Sequence, residues 1–412
     1  MVVRLAWRNV WRSKRRSLIT LSSVAAGLWL TVMSVGIADF SYAQMINDSA
    51  RLGFGHVTIQ PEGYRAAPSL ELRLAGAEDV LEKARQTPGV DRALTRVIGQ
   101  AMFQSARKSV GGMFMGVDPA DEDPSVNVML KNIVEGKMFQ STEGRGALVG
   151  QLMVDKLQLG LGKKFVVTAV DKDGEIVSEL FRVRGIFRTG VVEIDGSTVL
   201  LPIDRVRTAL RYEVNAATMV SVYVPDYRQS SEARRRLERR VGGPDVEVAT
   251  WRETQSELAS LSDLDRGMNY LLMAFLGLLI AAGVLNTALM SVLERRSEFG
   301  KMMALGMRPS QIGLMVLVES MFIGTVGLLL GVLICTPTAW YMYVNGIDFS
   351  GAMPTDYSAA GVLVDPVMHI ELYPDRVAGI LTTLFVLTLT AASYPAWIAG
   401  RVTPVEAIKE LT

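Results

Sequence analysis

The stretch ERRSEFGKMMALGMRPSQI, residues 294–312, is charged and helical in pattern, yet it sits between two runs apolar enough to cross a bilayer. Its flanks decide the fold. A run of roughly 18 or more uncharged, mostly apolar residues is long enough to span the hydrocarbon core as a helix. Residues 17–38, 267–293 and 377–400 carry no charge, and 312–343 carry only Glu319. With 49% hydrophobic residues over 412 positions, the chain is too large and too apolar for one soluble domain.

Orientation follows from basic residues in short flanks, because cytoplasmic ends retain Lys and Arg. Arg4, Arg8, Arg12, Lys14, Arg15 and Arg16 precede the first run, and Arg295, Arg296, Lys301 and Arg308 lie between the second and third. Between the third and fourth, Asp348, Asp356, Asp365, Glu371 and Asp375 face a lone Arg376. Both termini are therefore expected in the cytoplasm. The expected fold is membrane α-helical, with four transmembrane helices and a large extracytoplasmic α+β domain of two lobes inserted between helices 1 and 2.

In detail, the layout is a cytoplasmic amphipathic helix (1–16), helix 1 (17–43), the exterior domain, helix 2 (267–293), the charged turn (294–309), helix 3 (310–344), an outer loop (345–375), helix 4 (376–400) and a cytoplasmic tail (401–412). Helix 1 is read as retained, since its apolar run is longer than a signal-peptide core. In the preface, Val3, Trp7, Val10 and Trp11 share one face and Arg4, Arg8, Arg12 and Arg15 another, as in a helix lying on the inner membrane surface.

The exterior pattern alternates short β runs with amphipathic helices. GHVTIQ (55–60), AEDVLEKARQ (77–86) and 90–103 read as β-α-β, and ATMVSVYV (217–224), SEARRRLERR (231–240) and DVEVAT (245–250) repeat the order. These units predict one lobe built from both ends of the domain, 44–117 plus 217–266. Between them, 118–216 is expected as an inserted strand-rich lobe, with a helix over ALVGQLMVDKLQLGL (147–161) and strands at 165–170, 180–187 and 197–202.

Several chemistries are disfavoured. RRRLERR interleaves acids and reads as a solvated helix face, so no nucleic acid is expected. DPADEDP (118–124) has two prolines and no calcium-loop glycine, which suits a turn between lobes and no metal. The two histidines, His56 and His369, sit outside any ligand-like cluster, GLGKKF (160–165) lacks the phosphate-loop spacing, and no catalytic residue is expected. The single cysteine, Cys335, lies in an apolar run, so the exterior domain must be held by its core.

The turn has its own physics. Glu294, Arg295, Arg296, Glu298 and Lys301 supply charge, while Phe299, Met302, Met303 and Leu305 form an apolar ridge suited to a partner groove. Gly300 lies in its centre, Gly306 can end the helix, and Pro309 forbids its continuation, so the rod is short and stiff. Gly324, Gly327 and Gly331 place small residues on one side of helix 3 for close packing. Glu319 is costly in lipid and is expected to pair with a basic residue of the preface.

These residues resemble the cytoplasmic coupling segment of the MacB/FtsX-like family of ABC-transporter permeases, with its Glu-Phe-Gly core and later Ala-Leu-Gly. LAWRNVWRSKRRSLIT is similar to the family's opening, Glu319 stands where a family glutamate follows the coupling segment, and YPAWIAGRVTPVEAIKEL (394–411) resembles its tail. GHVTIQ and FRVRGIFRTGVVEIDGSTVLLPID (181–204) most resemble the lipoprotein-releasing permeases of the LolC/LolE type.

The resemblance implies a cytoplasmic ABC ATPase dimer that binds ATP and Mg, docked through Glu294, Arg295, Arg296, Glu298, Phe299, Gly300, Lys301, Met303, Leu305 and Gly306. It also implies a second permease, the same chain or a related one, and a periplasmic chaperone or adaptor, with the protein in the bacterial inner membrane.

If the cargo is a lipoprotein, about 45 acyl methylenes at about 0.8 kcal/mol each hold on the order of 36 kcal/mol against release into water. Covered lateral entry is then expected between helices 1 and 2, past Met33, Ile37, Phe40, Met45, Met268, Leu271, Leu272 and Phe275. A continuous helix through 257–272 is expected to carry motion outward. The alternatives are MacB-like export of periplasmic peptides or antibiotics, and FtsX-like activation of a cell-wall hydrolase.

Overall fold

The computed structural model describes residues 14–348 and 367–401, together with 6–8, 10, 12, 351, 358, 359, 362 and 363. Most of the centre of the expected outer loop, and the expected tail beyond Arg401, lie outside the described residues. Two compact units divide the chain: one holds residues up to 41, 264–349 and 367 onward, and the other holds 42–263 and 350–366.

Helix α1 (Lys14–Ser49) runs past the expected end of the first span and closes in a wide turn over Ala50–Phe54. The second unit then carries β1 (Val57–Pro61), α2 (Ala77–Arg85), β2 (Arg92–Gln104), β3 (Ser109–Val117), β4 (Ile133–Gly136), β5 (Gly146–Gly150), α3 (Gln151–Leu157), β6 (Lys164–Val170), β7 (Ile176–Phe187), β8 (Thr198–Pro202), α4 (Ile203–Ala209), β9 (Met219–Tyr223), α5 (Ser230–Val241) and β10 (Val246–Thr250).

Its first lobe is a sheet of order β10-β1-β9-β2, in which every neighbouring pair is antiparallel. Strands β1 and β2 therefore run parallel with β9 between them, and β9 and β10 run parallel with β1 between them. Two split β-α-β units interlock. Leu81 and Ala84 of α2 and Ala233 and Leu237 of α5 bury against Val57, Ile59, Val220 and Val222. The alternate residues of the same strands are polar and also buried: Thr58 donates to the Phe54 carbonyl at 2.7 Å and Ser221 to that of Gly53 at 2.5 Å. Gly53 takes φ +121°, a conformation that a side chain rarely adopts.

The second lobe is closed. Pairing runs β2–β3, β3–β8, β8–β5, β5–β7, β7–β6 and β6–β2, back to its start. A closed barrel leaves no strand edge among these six. Phe103, Phe114, Phe165, Phe181, Val149 and Val199 fill it.

Two expectations are corrected here. Residues 147–150 are strand, not helix, because β5 pairs on both sides, and that pairing overrides the helical spacing; only 151–157 is helical. The lobe boundary also lies before 118, because β3 and the distal half of β2 complete the barrel.

Strand β2 thus serves both lobes, and Arg96 stands where it changes partners. Its guanidinium is fully buried, paired with Glu122 at 2.8 Å and donating to the Tyr223 hydroxyl at 3.1 Å. Asp121 pairs with Arg85 at 2.9 Å, and Asp123 pairs with Arg92. The acidic run therefore clamps arginines of the first lobe.

The other unit holds α6 (Ser256–Glu294) from residue 264 on, α7 (Arg296–Ala304), α8 (Pro309–Asn345) and α9 (Pro374–Gly400). Among the described residues, four helices are long and apolar enough to cross a membrane: Ser17–Phe54, α6, α8 and α9. Val24, Leu28, Ile280, Val284, Leu328 and Leu384 form their common core. The glycines of α8 serve two neighbours, not one side. A Cβ on Gly327 would lie 2.9 Å from Val24 and one on Gly331 2.7 Å from Leu28, whereas one on Gly324 would meet Thr388 of α9 at 2.9 Å. Close approach of backbones at these points requires the missing side chains.

Candidate functional site

The charged turn is an elbow between α6 and α8. Helix α6 ends at Glu294, Arg295 leaves the helical path, and α7 occupies only Arg296–Ala304. At its far end Gly306 takes φ +96°, its amide donates to the Met303 carbonyl at 3.0 Å, and the Met307 amide donates to that of Met302 at 3.1 Å. This is the Schellman arrangement, which satisfies carbonyls a helix end would strand. Pro309 then opens α8, where its fixed φ and missing N–H cost nothing.

An alternating chain of charge runs through the elbow. Arg12 meets Glu298 at 2.8 Å, Glu298 meets Arg295 at 3.3 Å, and Arg295 meets Glu319 of α8 at 3.0 Å. The expected partner of Glu319 in the preface is thus replaced by Arg295, which lies beside it, while the preface engages Glu298. Arg295 also lies over the Phe299 ring at 5.2 Å. A cavity of about 30 Å³, with room for a water, opens beside this pair and is lined in part by Ser17, Thr20, Thr287 and Ser291.

Phe299 is fully buried, packed with Ala6, Val292, Ile312, Met315 and Ala396. The apolar ridge expected to face a partner is therefore corrected: Phe299 and Gly300 turn inward, and Met302 and Met303 are half-buried. The α7 spacing puts one face on the bundle and leaves the other free. Lys301, Ala304, Leu305, Gly306 and Arg308 are exposed, Leu305 at 89%. Ala304 and Arg308, which the sequence marks only as part of the Ala-Leu-Gly motif and of the basic flank, join the exposed face, since only the direction of Phe299 reveals which face is outward. Glu294 is exposed, and Arg296 is half-buried.

The preface also packs on this unit. Ala6 and Val10 are buried, and the Trp7 ring meets Phe322 edge-on at 5.2 Å.

The residues expected to line an acyl groove are not brought together. Met33 is buried in the helix core with Ile37 at its side, Phe40 packs on His369 with ring centres 5.4 Å apart, and Met45 joins Ala43, Ile46 and Trp251 in the other unit. Met268, Leu271, Leu272 and Phe275 are exposed on α6, whose inward face is carried by Ile280 and Val284. Successive spacings on α1 point into the bundle, and those on α6 point out of it.

His56 is buried between strands: its Nδ1 accepts the Val224 amide at 3.2 Å and its Nε2 lies 2.9 Å from Asn47 Oδ1. Burial, followed by the nearby Arg51 charge, lowers its pKa to about 4.

Residues 17–240, more than half of the chain, match the family described as MacB-like periplasmic core domain, and 270–404 match the FtsX-like permease C-terminal family. The lipoprotein-releasing system transmembrane protein LolC of Xylella fastidiosa (strain 9a5c) is 24% identical, over 97% of this chain and 96% of that one. An ABC transporter permease of Methanocaldococcus jannaschii is 22% identical over 99% of this chain and 97% of its own. The macrolide export ATP-binding/permease protein MacB of Mannheimia succiniciproducens is 21% identical over 87% of this chain but only 56% of that protein. Among solved structures, the periplasmic region of MacB from Actinobacillus actinomycetemcomitans aligns at a TM-score of 0.36 and 11% identity, covering 51% of this chain and 94% of that one. The two family matches together take in all four spanning helices and most of the domain between the first and second, and the chain belongs to the MacB/FtsX-like family of ABC-transporter permeases, as a multi-pass membrane subunit with a periplasmic α+β domain.

Proposed function

We propose that this permease takes force from a separate cytoplasmic ATPase dimer, which binds ATP and Mg, and uses it to extract lipoproteins from the inner membrane for sorting to the outer membrane. Both termini and the elbow face the cytoplasm in this reading. The observation that carries it is the match to LolC proteins across almost the full length of both chains. The elbow supports the mechanical part: a short capped helix, pinned by Phe299 and by the chain from Arg12 to Glu319, leaves Lys301, Ala304, Leu305 and Arg308 free for a partner groove.

Helix α6 serves as the lever, a second permease copy or a related permease completes the assembly, and a periplasmic chaperone or adaptor receives the cargo. The test is depletion of the protein followed by fractionation of membranes. Lipoproteins accumulating in the inner membrane is the expected result, and unchanged sorting overturns the cargo assignment. The match to the MacB-like core domain favours a second reading, export of periplasmic peptides or antibiotics, in which depletion leaves sorting intact and raises drug sensitivity.

A further inference from the structure

The segment His369–Tyr373 lies against one half of α1, close enough to constrain its side chains. Glu371 donates its amide to the Gly36 carbonyl at 3.0 Å, and Phe40 packs on the His369 ring. At Gly36 the approach is so close that a Cβ would lie 2.3 Å from Ile370 and 2.8 Å from Leu372, so only glycine admits the segment here. Ile370 is buried in the helix core beside Met33, with Ile37 and Leu372 packed against it.

One ion pair closes the arrangement: Arg376, at the start of α9, donates to Asp39 Oδ1. Asp39 is 2% exposed, and its Oδ2 has no hydrogen-bond partner among the described residues. Arg376 keeps 32% of its side chain exposed. A carboxylate gripped through one oxygen is a weaker lock than a bidentate pair, and a buried oxygen without a partner costs free energy in the closed state. The contacts therefore describe a strap that is well packed yet fastened by a latch that opens at modest cost.

We propose that His369–Tyr373 is a gate over the outer half of α1, held shut by Asp39 and Arg376, and that its release exposes Met33 and Ile37 to acyl chains resident in the membrane. The gate rests on the acyl-chain reading above and explains why Met33 is buried and Ile37 half-buried in this structure.

The test uses the full-length complex in proteoliposomes, in a Cys335→Ala background with Phe40→Cys and His369→Cys, positions whose rings pack 5.4 Å apart in the closed state, joined as a disulfide on oxidation. Two photoactivatable probes are used, a phospholipid and a triacylated lipopeptide, each with a diazirine in the acyl chain. Labelling of the α1 peptide containing Met33 and Ile37 is expected to fall about tenfold on oxidation, to return on reduction, and to rise at least about threefold in Asp39→Asn. Labelling that ignores oxidation of this cysteine pair overturns the gate. Phospholipid labelling that follows the strap while the lipopeptide never labels upholds the gate and removes the lipoprotein assignment.

Discussion

Arg295 and Glu319 meet at 3.0 Å across 24 residues of sequence, joining the start of α7 to the end of the third turn of α8 and tying the elbow to that spanning helix. Both side chains are largely buried, with 16% and 12% exposed, so the pair acts less by adding stability than by penalising its own disruption. Arg295→Ala leaves a buried carboxylate without its cation and is expected to destabilise the helical unit by about 3–5 kcal/mol, whereas Arg295→Met with Glu319→Met recovers most of that loss. Thermal unfolding of the purified protein and its variants in detergent measures the cycle. A loss in the double variant equal to the sum of the Arg295→Met and Glu319→Met losses would show that the pair is not coupled.

The inward and outward faces of α7 give opposite expectations. Phe299→Ala removes a fully buried ring and is expected to cost about 3–5 kcal/mol. Gly306→Ala forces a side chain into φ +96° and is expected to cost about 1 kcal/mol or more. Phe299→Ala leaves the exposed face unaltered and Gly306→Ala adds one methyl to it, so both are read by unfolding in detergent. A Phe299→Ala protein as stable as the parent would place the ring outside the core.

His56 makes the periplasmic lobe sensitive to acid. Its folded pKa of about 4 lies below the ordinary 6.5, so the unfolded chain binds the extra proton first. The stabilisation is complete above about pH 6.5 and is lost as pH falls toward 4, by about 3 kcal/mol in all. Protonating Nδ1 also ejects the Val224 amide from its acceptor. Unfolding curves at pH 7.5 and 4.5 are expected to differ less in His56→Gln than in the parent, and identical pH dependence would contradict this.

The Arg96–Glu122 pair predicts that the acidic turn and the first lobe loosen together. Glu122 is 2% exposed, so Arg96→Met leaves an unpaired buried carboxylate and is expected to cost about 3–5 kcal/mol. Hydrogen exchange is the measurement: faster exchange is expected in β9 and in the proximal half of β2 together. Loosening confined to the acidic turn would show that the pair holds only its own loop.

How far this structure was legible in the sequence depends on the range of the interaction. Four spanning helices follow from uncharged runs because the bilayer sets a length that composition alone reveals. The alternating strands β1, β9 and β10 and the helices α2 and α5 were legible for the same local reason. What pairs across distance was not. Residues 147–150 have helical spacing and become strand only because two partners flank them. The barrel closes through Phe103 opposite Val167, a pairing that no local pattern announces. At the elbow, charge and apolar spacing marked α7 as a docking helix, but a short amphipathic rod looks the same whichever face is inward. The burial of Phe299 decides it, and moves the candidate contact to Leu305 and its neighbours.

Entry of force from an ATPase at the elbow is tested by copurification. Leu305 is 89% exposed, so Leu305→Glu is expected to change stability by no more than about 0.5 kcal/mol. An affinity-tagged Leu305→Glu permease that unfolds like the parent but no longer brings down the ATPase subunit is the predicted result. A full complement of ATPase on that variant would contradict it.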